Sequence, residues 1–73
     1  MNLRDRLRVD RDGRVPLATQ VSRQIARLIS AGGLREGDGL PPVRVLAADL
    51  SINLHTVRAA YRQLGQDGLV ATR

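Results

Sequence analysis

"VRVLAADLSINLHTVRAAYRQL", residues 43–64, decides the fold. Val43, Leu46, Ala47 and Leu50 recur at i, i+3, i+4 and i+7, which is one face of a short helix. Arg44, Ala48 and Asp49 lie off that stripe. Ser51-Ile52 breaks the pattern in a tight turn. Asn53 then suits an N-cap, because its side-chain oxygen accepts from the free N–H groups of a first helical turn. A second helix follows from about Leu54 to Asp67, with Val57, Ala60, Tyr61 and Leu64 facing inward. Gly65 inside it costs roughly 1 kcal/mol against alanine, and Gly68 stops it.

Upstream, Leu17, Val21, Ile25, Leu28 and Ile29 form a third apolar stripe after Pro16, a residue that helix starts tolerate. Gln20, Arg23, Gln24 and Arg27 take the other side, and Gly32-Gly33 ends the helix. Residues 34–42, "LREGDGLPP", read as a loop with Leu34 and Leu40 as its anchors. Pro41-Pro42 imposes extended backbone just before the next helix. "LVATR", residues 69–73, has the composition of a starting strand.

Residues 1–15 lack helical periodicity. Leu7 and Val9 alternate with charged residues, and Asp12-Gly13 marks a turn. We expect an arm with one short edge strand at most; a disordered tail is the competing reading. The domain proper then occupies residues 16–73.

Composition narrows the function. A 73-residue chain makes one small domain, burying only about 60% of its unfolded surface. It has no cysteine and one histidine, so a thiolate metal site or cysteine nucleophile is excluded, and no metal or cofactor is expected. No apolar run approaches the ~20 residues of a membrane span, so a cytoplasmic protein is expected. Twelve basic residues against seven acidic ones give +5, and every basic residue is arginine. The guanidinium fork matches phosphate bidentately, but the codon bias of a GC-rich genome accounts for the missing lysine. It does not account for the positive balance, which fits a polyanionic partner.

Two short helices joined by about three residues match a helix-turn-helix. At about 100° per residue, His55, Arg58 and Arg62 fall within about 60° of each other, away from the apolar stripe. In a helix-turn-helix that outer face lies in the DNA major groove. The helix start also offers N–H groups and a positive dipole end to phosphate. Periodicity alone fits other small interaction domains too, and a winged-helix module that binds protein is the alternative.

The stretch "GLREGDGLPPVRVLAADLSINLHTVRAAYRQLGQDGLV" resembles the DNA-binding domain of GntR-family bacterial transcription regulators. The matching residues are Gly33-Leu34, Gly37-Asp38, Leu40-Pro41, Arg44, Leu46-Ala47, Thr56-Val57-Arg58 and Gly68-Leu69-Val70. Pro16, Leu17 and Gln20 extend the match. The arm before them and "AAYRQL" resemble the YtrA subfamily most.

The resemblance implies a mainly α winged helix-turn-helix with a small β element, and Arg44 and Arg58 on DNA with Thr56 on phosphate. It implies a palindromic duplex operator bound by a homodimer. A completed wing and a C-terminal dimerising, often effector-binding, domain are also implied. Residues 1–73 hold neither in full, so a piece of a longer regulator is expected. Some GntR-type chains carry an aminotransferase-like domain there.

The departures are specific. Pro42 stands at a common serine cap. Ser51 replaces a frequent glycine, so it must take a left-handed backbone angle if the turn is kept. Leu54 stands where some members place a base- or phosphate-contacting arginine and YtrA-like members often have proline. His55 replaces a common asparagine, so a different base preference is expected. Ala18 replaces a common tyrosine.

The candidate DNA-binding residues are therefore Arg44, Asn53, His55, Thr56 and Arg58. A solvated arginine is the competing reading for Arg58, and a surface pair with Asp49 for Arg44. His55 reads a base edge or occupies solvent, and Asn53 is chiefly a cap. Arg62 and the arm's arginines are read as solvated. No catalytic constellation surrounds His55, so no enzyme activity is expected.

Overall fold

The computed structural model describes residues 3–32 and 39–66. Gly33-Leu34, Gly37-Asp38 and the strand expected at residues 69–73 lie outside them. A 3-10 turn, Leu3–Arg6, is followed by α1 (Leu17–Ser30), α2 (Val43–Leu50) and α3 (Leu54–Gln66). The three helices stand where the apolar periodicity places them, within a residue or so at each end.

Both α1 and α2 start without a side-chain cap. Pro16 and Pro42 hold the cap positions in extended geometry (φ −55°, ψ 144° and 146°). Their carbonyls accept the first helical bonds, from Gln20 N–H and Leu46 N–H at 3.0 and 3.1 Å. Proline suits this place because its fixed φ matches and its missing N–H is not needed. Gly32 closes α1 at φ +79°, donating to the Ile29 carbonyl.

α3 packs against both α1 and α2. The core joins Val21 and Ile25 of α1, Leu46 and Ala47 of α2, and Val57, Ala60 and Leu64 of α3. Leu28, Ile29, Leu40, Val43, Leu50, Ile52 and Tyr61 are half-buried around it. Leu40 thus anchors the loop as expected. Tyr61 Oη donates to the Pro41 carbonyl at 2.6 Å. Burial pushes its pKa up to about 12.

The N-terminal segment departs from expectation. It is neither a solvated arm nor an edge strand. Leu7 is buried in the core, and the 3-10 turn packs on α2. Two glutamine side chains of α1 take the place of a sheet neighbour. Gln24 accepts from Arg8 N–H (2.8 Å) and donates to the Arg8 carbonyl. Gln20 does the same for Asp10, at 2.7 and 2.9 Å, and also donates to the Val15 carbonyl. A primary amide carries one acceptor and two donors, so it can bond an extended residue on both edges. Residues two apart on the segment match residues four apart on the helix.

Candidate nucleic-acid interface

The turn between α2 and α3 sets the geometry of the candidate surface. Ser51 takes the left-handed conformation, φ 55° and ψ 44°, as its position requires. Ser51 N–H donates to the Ala48 carbonyl at 3.2 Å, and Ile52 N–H to the Ala47 carbonyl at 3.0 Å. That is a Schellman closure, with serine where glycine is usual. Two residues later Asn53 caps α3, its Oδ1 accepting from His55 N–H at 2.7 Å.

The cap changes one expectation. The amides of the first α3 turn do not stand open to phosphate as a set. His55 N–H is taken by the Asn53 side chain, and Thr56 N–H donates to the Asn53 carbonyl at 3.0 Å. A good cap satisfies the same donors that an anion would use. The dipole end remains.

His55, Arg58 and Arg62 are exposed on the outer face of α3, while Val57, Ala60 and Leu64 are buried on its inner face. Asn53 is exposed, with its side chain committed to the cap. Thr56 is half-buried on the first turn. Arg44 is exposed on the first turn of α2, so it comes from a different helix than the other four. The α3 N-terminal turn therefore gathers Asn53, His55, Thr56 and Arg58.

A residue outside that set reaches the same turn. Arg11 Nη2 donates to the carbonyls of Leu50 and Ser51, at 3.1 and 2.8 Å. Nothing in the local sequence marks Arg11 for this, since its partners lie about 40 positions away. A shallow groove between α1 and the N-terminal segment carries Arg14, Arg23 and Arg27. No residue of α2 or α3 lines it, so it stands apart from the candidate surface. Among the described residues no group of histidines and carboxylates is placed to hold a metal, and no helix is long and apolar enough to cross a membrane.

Comparison with known proteins bears on this arrangement. The chain matches the model of the bacterial regulatory proteins of the gntR family over residues 17–73. It is 44% identical over all 73 residues to the HTH-type transcriptional regulator Rv1152 of Mycobacterium tuberculosis, of which it covers 60%. It is 33% identical over 90% of its length to the HTH-type transcriptional repressor YtrA of Bacillus subtilis, of which it covers 51%. The chain thus spans between half and two thirds of these curated relatives.

Among solved structures it is similar to YtrA from Sulfolobus acidocaldarius, a GntR-family transcription factor, with TM-score 0.88 and 35% identity over 93% of this chain and 72% of that one. That likeness shows a winged helix-turn-helix built on α1 to α3, although among the described residues there is no strand. The chain belongs to the GntR family of transcription regulators and carries its DNA-binding domain.

Proposed function

We propose that this domain recognises a specific operator in duplex DNA by laying α3 in the major groove. The observation that carries the reading is the outer face of α3. It exposes His55 and Arg58 on a helix whose opposite face is core and whose start is fixed by the Asn53 cap. Arg58 reads a base edge through its forked guanidinium, and His55 reads a neighbouring base. Arg44 and Thr56 hold phosphates on either side and set register without reading sequence. Asn53 acts through the cap. The intact regulator binds a palindrome as a homodimer, so that two copies of α3 enter successive major grooves. No catalysis is part of this reading.

Selection from a randomised duplex pool, repeated at two salt concentrations, tests it. One enriched motif is expected, with affinity that falls steeply as salt rises. Arg58→Ala is expected to cost ~1–3 kcal/mol on that motif, the range of a bidentate base contact. An unchanged affinity removes Arg58 from the site. Absence of any duplex binding at low salt favours a protein-binding module instead.

A further inference from the structure

We propose that Arg11 is a positioning residue for DNA recognition, acting through the turn that joins α2 to α3. The inference rests on the reading of α3 as the recognition helix.

The last turn of α2 has an unmet need. A helix leaves its final carbonyls without intrahelical donors and concentrates negative dipole charge there. The Schellman bonds of Ser51 and Ile52 satisfy the carbonyls of Ala48 and Ala47. Those of Leu50 and Ser51 lie beyond them. No basic side chain stands in the last turn of α2 to help. Arg11 supplies both the donor and the cation from a distant part of the chain, at 3.1 and 2.8 Å.

The two carbonyls it holds are informative ones. Ser51 is the one non-glycine residue with positive φ among the described residues. Rotation of the Leu50–Ser51 peptide would release that strain, and it would swing the Leu50 carbonyl away. A guanidinium bonded to this carbonyl and its neighbour opposes the rotation. Asn53 begins α3 two residues on, so the direction of α3 from α2 depends on that peptide.

Arg11 is itself braced. Asp10 beside it is bonded on both edges by Gln20 of α1. Asp12 N–H donates to Asp10 Oδ1 at 3.1 Å, and Gly13 N–H to the Asp10 carbonyl at 3.3 Å, which closes the turn behind it. α1, the N-terminal segment and the α2–α3 turn thus form one braced unit. Arg11 is a side chain that joins the segment to the turn.

The competing role for Arg11 is a direct phosphate contact. Three readouts on the full chain separate the two: affinity for the selected duplex, affinity for an unrelated duplex, and the salt slope of each. In Arg11→Met, positioning predicts that the preference for the selected duplex falls about tenfold, as when one base contact is partly lost. Binding to the unrelated duplex and both salt slopes are expected to stay as in the wild type. Amide exchange at Ile52 and His55 of the free protein is expected to speed up. Arg11→Lys is expected to restore part of the preference, because both native bonds come from one nitrogen and the ammonium keeps that charge on a stem one bond shorter.

A phosphate contact predicts instead that both affinities fall together and the slope drops by about 0.9; that result overturns the proposal. Arg11→Met with unchanged preference and unchanged exchange overturns it too. Arg58→Ala is the control for the underlying reading. If it loses the motif while Arg11→Met keeps it, Arg11 alone is refuted. If the wild type selects no motif, the recognition-helix reading fails, and the Arg11 proposal with it.

Discussion

The Tyr61 hydroxyl donates to the Pro41 carbonyl at 2.6 Å, tying the middle of α3 to the entry of α2. Two consecutive prolines at 41 and 42 leave that entry without N–H donors, so a carbonyl acceptor is what it can offer. Removing the hydroxyl leaves a half-buried carbonyl unpaired. Tyr61→Phe is expected to cost about 1 kcal/mol, which lowers Tm by roughly 4–8 °C in a domain this small. Thermal unfolding followed by circular dichroism checks it.

The burial of the same side chain gives a pH dependence with a definite sign. Burial raises the Tyr61 pKa from 10 to about 12, so the folded state favours the neutral phenol. That contribution is complete below pH 10 and is lost as pH rises toward 12. The chain has one tyrosine and no lysine or cysteine, so few other groups titrate in this window. Ultraviolet titration of the phenolate is expected to give a midpoint near 12 in buffer and near 10 in denaturant. A midpoint near 10 in both would mean that the hydroxyl is open to water.

Much of this fold is written locally. α1, α2 and α3 begin where Pro16, Pro42 and Asn53 stand, and their inner faces follow the 3.6-residue period. The exposure of His55, Arg58 and Arg62 follows from their spacing on α3. Docking of the N-terminal segment is a different kind of event. Leu7 sits among charged residues and shows no period, yet it is buried. The bonds that hold its neighbours come from Gln20 and Gln24, 10 and 16 positions away, and side-chain amides leave no periodic trace. Arg11 was hidden for the same reason. Its bonds to Leu50 and Ser51 span 39 and 40 positions, which no local pattern encodes.

The glutamine pair makes the docking testable. Gln20 contributes three bonds to the segment and Gln24 two. The bonds are exposed to solvent, so each is worth less than a buried one. Gln20→Ala is expected to cost about 1–2 kcal/mol and to raise amide exchange at Asp10. Gln20→Glu keeps the acceptor and loses both donors, so it is expected to stay close to the alanine variant. Urea unfolding with residue-resolved exchange distinguishes a detached segment from a globally weakened domain.

Ser51 offers a change in the opposite direction. Its left-handed backbone costs an ordinary residue roughly 1 kcal/mol, and glycine avoids that cost. Ser51→Gly keeps the carbonyl that Arg11 holds. It is expected to raise stability by somewhat under 1 kcal/mol, because glycine's freer unfolded chain offsets part of the gain. Chemical denaturation reads this as a higher midpoint with an unchanged slope. A lower midpoint would show that the serine side chain contributes something the left-handed angle does not explain.

Asn53 separates a cap from a contact. Its Oδ1 accepts from His55 N–H at 2.7 Å, so its loss in Asn53→Ala is expected to cost about 1 kcal/mol. Serine and aspartate cap helices about as well as asparagine does, so both variants are expected to keep the stability. They should part on DNA. Asn53→Ser retains binding if Asn53 acts only through the cap. Asn53→Asp places a negative charge at the helix start, where it complements the dipole in the free protein but repels an approaching phosphate. Its expected signature is wild-type stability with weaker DNA binding, the loss growing as salt is lowered. If Asn53→Ser unfolds like the wild type yet loses the selected duplex, Asn53 touches DNA directly and belongs beside Arg58 among the contacts.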